Sequence, residues 1–134
     1  MVMEEDTGFS TDVSKQQSSQ LIWTEEEMIL AADLADGRDW RGPNSATPEV
    51  LELSELLKQA HFYPHQGRPE NFRSPSSVSR KVGNLIGSHP TKAPANSLRT
   101  SAREVPIVQR FVDDRVSMKA LARSIRERIR RGEL

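Results

Sequence analysis

Apolar residues recur at the spacing of an amphipathic α-helix in five stretches of the chain. The sharpest is the segment 71–87, NFRSPSSVSRKVGNLIG, where four aliphatic residues fall at i, i+4, i+7 and i+8. They are Val78, Val82, Leu85 and Ile86. Ser74 followed by Pro75 marks its start, because a serine side chain accepts an unpaired backbone N–H and a proline at the first helical position has none to pair. The pattern predicts a mainly α protein, a small bundle of about five helices.

The opposite side of this third helix is polar and positively charged. At about 100° per residue, it carries Ser76, Ser77, Arg80 and Asn84, with Arg73 just upstream. A helix N-terminus offers free N–H groups and the positive end of the dipole, so this side is a candidate phosphate-binding surface. The alternative is an ordinary solvated face.

The first helix is predicted over residues 25–36. Thr24 and Glu27 form a capping box at its start, and Gly37 is expected to end it in a left-handed conformation. The first turn, from Glu25 onward, is acidic, which suits the positive end of the helix dipole. We interpret these carboxylates as helix-stabilising rather than as a catalytic acid and base.

The second helix begins at Thr47 and Pro48, an N-cap and a first-turn proline, and has the clearest core-facing row. That row comprises Val50, Leu53, Leu56, Leu57 and Ala60. The loop that follows contains His61 and His65, whose i, i+4 separation binds zinc when it lies on a helix. Pro64 between them argues against a helix there, so we expect no metal site.

Two further helices are predicted near the C-terminus. Ser101 and Glu104 form another capping box, but Pro106 inside a helix would cost about 3 kcal/mol, so the fourth helix should begin nearer Val105. The fifth helix spans residues 117–131 and has a narrow apolar stripe. The stripe comprises Met118, Leu121, Ala122, Ile125 and Ile129.

A second stripe on the fifth helix is cationic. It comprises Lys119, Arg123, Arg126 and Arg130, at i, i+4, i+7 and i+11. Like charges at i, i+4 destabilise an isolated helix by a few tenths of a kcal/mol. Four cations in one row therefore indicate a compensating interaction. Either the stripe lies along a phosphate backbone, or its cations suit the helix C-terminus and shield apolar surface.

Composition divides the chain into an arm and one domain. Residues 1–20 are rich in Ser, Gln, Glu and Asp and lack apolar surface, so they are predicted to form a disordered acidic arm. Residues 21–134 are predicted to form one helical domain. Within it, 88–100 contains two prolines and small polar residues, which predicts a flexible connector before the last two helices.

The net charge of zero conceals a strong asymmetry. Residues 1–37 hold nine carboxylates and one lysine, a net charge of −8, whereas residues 38–134 hold 18 basic and 10 acidic residues, a net charge of +8. Such segregation indicates an anionic partner for the basic part, most simply a nucleic acid. Pairing of the two parts within the chain is the alternative.

Several function classes find no support in the residues. The chain has no cysteine, and it lacks a glycine-rich nucleotide loop, a nucleophile elbow and the histidine pattern of an HNH nuclease. We therefore expect a non-catalytic protein without a cofactor. No run approaches the roughly 20 apolar residues of a membrane span, and a signal-peptide pattern is missing, so we expect a soluble cytoplasmic protein.

Three motifs together resemble the N-terminal head domain of ScoMcrA-like HNH endonucleases, which are modification-dependent (type IV) restriction enzymes. The first is WTEEEMILAADL, from Trp23 to Leu34, and the second is PEVLELSELL, from Pro48 to Leu57. The third includes Asn71, Phe72, Arg73, Pro75, Val78, Lys81 and Asn84. In that family a separate C-terminal nuclease domain cuts the DNA, so the resemblance implies a helical, non-catalytic head. A departure occurs near Pro106, where the family usually has an aromatic residue.

The first functional hypothesis is a DNA-contacting module of the restriction and defence context. One segment of the DNA backbone would contact Arg73, Ser76, Arg80, Lys81 and Asn84. Another segment would contact Lys119, Arg123, Arg126 and Arg130. If about six phosphates are neutralised, log K should fall against log salt with a slope of roughly −5. The alternatives are a module that docks a nuclease subunit through the apolar stripe of the fifth helix, and a small DNA-binding regulator. The loop between the second and third helices is long for a helix-turn-helix regulator.

Overall fold

The computed structural model describes residues 21–95 and 102–134, which form five helices and no strand. The helices are α1 (Glu25–Gly37), α2 (Pro48–Gln59), α3 (Pro75–Gly87), α4 (Glu104–Asp113) and α5 (Arg115–Arg130). The prediction of a mainly α bundle of about five helices is confirmed. The predicted arm 1–20, the capping residue Ser101 and the end of the predicted connector lie outside the described residues.

Helix α1 is the centre of the bundle. It packs against each of the other four helices, and these form a closed ring in which α2 touches α3, α3 touches α4, α4 touches α5 and α5 touches α2. As a consequence, most of the circumference of α1 is buried, including Glu27, Leu30, Ala31 and Leu34. A helix with so broad an apolar surface needs such a position.

The predicted helix starts at Thr24 and Ser74 are confirmed. Thr24 Oγ1 accepts a hydrogen bond from Glu27 N at 3.1 Å, and Glu27 Oε1 accepts one from Thr24 N at 2.8 Å. Ser74 Oγ accepts a hydrogen bond from Ser77 N at 3.2 Å, and Pro75 is the first residue of α3. Both helices therefore begin where their local sequence places them.

The expectation that Gly37 ends α1 in a left-handed conformation is wrong. Gly37 is the last helical residue, and the left-handed residues are Asp39 (φ 57°) and Trp40 (φ 61°). Trp40 N donates to Ala35 O at 2.7 Å and Asp39 N donates to Asp36 O at 3.0 Å, which are the two hydrogen bonds of a Schellman motif. Because the chain reverses at Asp39 and Trp40, the Trp40 indole enters the core. Burial of the indole offsets the backbone cost of about 1–2 kcal/mol for each left-handed residue.

Helix α4 begins at Glu104, one residue before the predicted start at Val105. Pro106 is then the third helical residue. The N–H groups of the first turn have no partner within a helix, so a proline there removes no hydrogen bond. This placement explains why the proline does not interrupt α4.

Two glycines give a stability test of the α3 backbone. Gly83 lies inside α3 with open space where a Cβ would be, whereas Gly67 has φ +77°. Gly83→Ala is expected to raise the free energy of unfolding by roughly 0.5–1 kcal/mol, because alanine loses less backbone entropy in a helix. Gly67→Ala should lower it by about 1 kcal/mol or more. Urea denaturation checks both, and a destabilising Gly83→Ala would contradict the open position of that residue.

Candidate nucleic-acid interface

Arg73 is buried, so the prediction that it faces a phosphate is wrong. Only 4% of its surface is exposed, and its Nε and Nη2 donate to the Glu27 carboxylate at 2.7 and 2.9 Å. Its guanidinium also lies over the rings of Trp23 and Phe72, at 4.7 and 4.5 Å from their centroids. With a backbone φ of +46°, Arg73 turns inward just before α3. It joins the start of α3 to the central helix and is not available to a ligand.

The other residues predicted on α3 divide into paired and exposed groups. Lys81 Nζ donates to Glu104 Oε2 at 2.6 Å, in a partly buried ion pair with α4. Ser76, Arg80 and Asn84 are exposed at i, i+4 and i+8. Arg80 makes no ion pair within the described residues, and α3 contains no carboxylate. The exposed face of α3 is thus polar and carries an unneutralised cation.

Half of the predicted cationic stripe on α5 is neutralised by α1. Lys119 Nζ lies 2.7 Å from Asp33 and 3.2 Å from Asp36, and Arg126 Nη2 lies 3.2 Å from Asp33. Two of the four cations are thus paired with carboxylates of the acidic first part of the chain, which was the alternative to an outside anion. Arg123 and Arg130 are exposed, and neither makes an ion pair within the described residues.

The apolar stripe of α5 is used inside the bundle. Met118, Ala122, Ile125 and Ile129 are buried, and α5 packs against α1, α2 and α4. The stripe therefore offers no free surface through which α5 could dock a nuclease subunit, and the alternative of a docking module would need another surface.

The two predicted surfaces lie on helices that do not touch. Helices α3 and α5 occupy opposite positions in the ring, with α1 between them. Arg80 on α3 is therefore separated from Arg123 and Arg130 on α5 by the central helix. Each surface would have to meet its own segment of a ligand.

The fold brings two loop cations near α3, and the sequence reasoning missed both. Ser79 Oγ donates to Pro43 O at 3.3 Å, which holds the loop 38–45 and its exposed Arg41 beside α3. Lys92, in the turn after α3, reaches Asp39 of the same loop at 2.5 Å. We call this set the composite surface: Arg41, Ser76, Arg80, Asn84 and Lys92. The available sequence signal is that no Asp or Glu occurs between Glu70 and Glu104.

Two side chains in this region have shifted pKa values. The hydrogen bond from Lys92 lowers the pKa of Asp39, so this carboxylate stays ionised at neutral pH. Burial and the charge of Lys92 lower the pKa of His89. Its ring packs against Trp40, with the ring centroids 4.7 Å apart and the planes tilted by 55°. Its Nδ1 accepts hydrogen bonds from the N–H groups of Thr91 and Lys92 at 3.1 and 3.0 Å. The His89 ring therefore links the turn after α3 to Trp40.

The histidines of the loop after α2 stack on each other. The ring centroids of His61 and His65 lie 4.7 Å apart with an interplanar angle of 14°. In the described part of the chain, no three or more His, Asp or Glu side chains are grouped so as to hold a metal ion.

Every helix described is too short or too polar to cross a bilayer.

Comparison with known protein families, curated proteins and solved structures finds no match to this chain. The likeness to the ScoMcrA-like head domain accordingly stays a prediction from the three motifs.

Proposed function

We propose that this chain is a non-catalytic DNA-contacting module that binds mainly the phosphate backbone through the exposed face of α3. The observation that carries the proposal is the exposed row of Ser76, Arg80 and Asn84 on a helix that contains no carboxylate. Guanidinium, hydroxyl and amide groups are the side chains that most often bind phosphate oxygens. Arg123 and Arg130 would contact a separate backbone segment on the other side of the bundle.

The biological context follows from the motif resemblance. The module would hold DNA for a nuclease domain or subunit of a restriction system, since in the ScoMcrA-like enzymes a separate C-terminal domain does the cutting. Under this proposal the chain contributes affinity for DNA, and the partner cleaves the DNA. Backbone contacts carry no sequence information directly, so binding should vary little among unmodified DNA sequences.

The salt dependence of DNA binding tests the proposal. Since Arg73, Lys81, Lys119 and Arg126 are engaged within the chain, log K should fall against log salt with a slope of roughly −2 to −3, shallower than the −5 expected for six phosphates. Arg80→Gln should reduce the slope by about one unit. Fluorescence anisotropy over a salt series measures both.

Lys58→Gln is the matched control for Arg80→Gln. It also removes one positive charge, but from a half-exposed side chain beside Glu55 on the acid-rich helix α2. Its slope should equal that of the unmodified chain. Binding that does not vary between low and moderate salt, or an equal effect of both substitutions, would refute the assignment of the contact face to α3.

A further inference from the structure

We infer that the ligand is double-stranded DNA and that it lies across the whole composite surface, with Arg41 and Lys92 beside Arg80. This inference rests on the proposed function and specifies its ligand and contact residues. Three chain segments supply the surface: the loop 38–45, helix α3 and the turn 88–92. The contacts of Ser79 with Pro43 and of Lys92 with Asp39 hold these segments together.

The charge of the composite surface is positive and almost unopposed. Arg41 and Arg80 are exposed and make no ion pair within the described residues. Asp39 is the only carboxylate in the loop 38–45, in α3 or in the turn 88–92. Its partner Lys92 keeps 42% of its side chain exposed, so its ammonium is within reach of a phosphate that competes with Asp39. The three segments thus carry the three cations of the composite surface against one carboxylate.

The aromatic residues favour a duplex over a single strand. Proteins that bind single strands stack the bases on exposed aromatic rings. Trp40, the indole nearest this surface, is buried and its ring is covered by His89. In the described ranges Trp23, Phe72 and Phe111 are also buried. Apart from His89, which is partly buried against Trp40, the described part of the composite surface offers groups for phosphates and no aromatic ring for bases.

Asp39→Asn gives a gain-of-function test. Asparagine keeps the size of the side chain and tolerates the left-handed backbone of this position. Losing the carboxylate frees Lys92, so the affinity for a duplex should rise about threefold or more at low salt. Glu55→Gln, the same charge change at an exposed carboxylate beside Lys58 on α2, is the control and should change affinity by less than about 1.5-fold.

Two further measurements complete the experiment: the affinity of Arg41→Gln for a duplex, and the affinity of the unmodified chain for a single strand compared with a duplex. Arg41→Gln should weaken duplex binding about threefold to tenfold and lower the salt slope by about one unit. A single strand of the same sequence should bind more weakly than the duplex to the unmodified chain. Thermal melts of each variant verify folding before affinities are compared.

The outcomes separate this inference from the proposed function. If neither duplex nor single strand binds, the proposed function fails. If Arg80→Gln weakens binding while Asp39→Asn and Arg41→Gln leave it unchanged, the composite surface is refuted and the α3 contact stands. If the single strand binds as tightly as the duplex, the assignment to double-stranded DNA is overturned.

Discussion

Arg73→Ala is expected to lower the free energy of unfolding by about 3–5 kcal/mol, because it leaves the Glu27 carboxylate buried without its cation. Glu27 is only 1% exposed, and Arg73 supplies two of its hydrogen bonds. The substitution also removes the guanidinium from the carbonyls of Leu21 and Ile22, which it binds at 3.2 Å. Urea denaturation followed by circular dichroism measures the loss.

Two further variants identify the cause of that loss. Arg110→Ala breaks the exposed ion pair with Glu25 and should cost less than about 1 kcal/mol, because solvent screens that pair. Combining Arg73→Ala with Glu27→Gln removes the unpaired buried charge, so the double variant should be more stable than Arg73→Ala alone. If Arg73→Ala costs no more than Arg110→Ala, the buried ion pair does not hold the bundle together.

Ile125→Ala is expected to cost about 2–5 kcal/mol, since it opens a cavity in a side of α5 that packs on the core. Ile125 is 3% exposed. A docking helix would behave differently, because its apolar stripe would face solvent in the isolated chain and its truncation would leave stability unchanged. Thermal and urea denaturation of the isolated chain therefore separate a core helix from a docking helix.

Val116→Ala is the matched control on the same helix. Val116 is 80% exposed, so its truncation should change stability by no more than about 0.5 kcal/mol. Equal losses for Ile125→Ala and Val116→Ala would contradict the orientation of α5 in the bundle.

Part of the candidate interface could be predicted from the sequence. The periodicity of α3 correctly placed Ser76, Arg80 and Asn84 opposite the buried row, because positions on a helix follow from its pitch. The same reasoning failed for Arg73, which precedes the helix and has a left-handed backbone. It also missed Arg41 and Lys92, because loops have no periodicity from which their neighbours can be read.

The partners of the basic residues could not be predicted from the sequence either, because they too depend on contacts between distant segments. The asymmetry between the acidic first part and the basic remainder indicated either an outside anion or an internal partner. Only the packing of α5 on α1, which brings Asp33 to Lys119 and Arg126, decided in favour of internal pairing at those positions. Such contacts join residues about 90 positions apart and leave no local signal.

The sequence by itself determined the five helices, most of their starts and the rows that form the core, because capping and periodicity are local properties of the chain. The tertiary structure decided that α1 is the central helix, that α3 and α5 lie on opposite sides of it, and which cations remain exposed. These features depend on which helices meet. A buried carboxylate such as Glu27 and a buried cation such as Arg73 acquire their roles only when packing removes both from water.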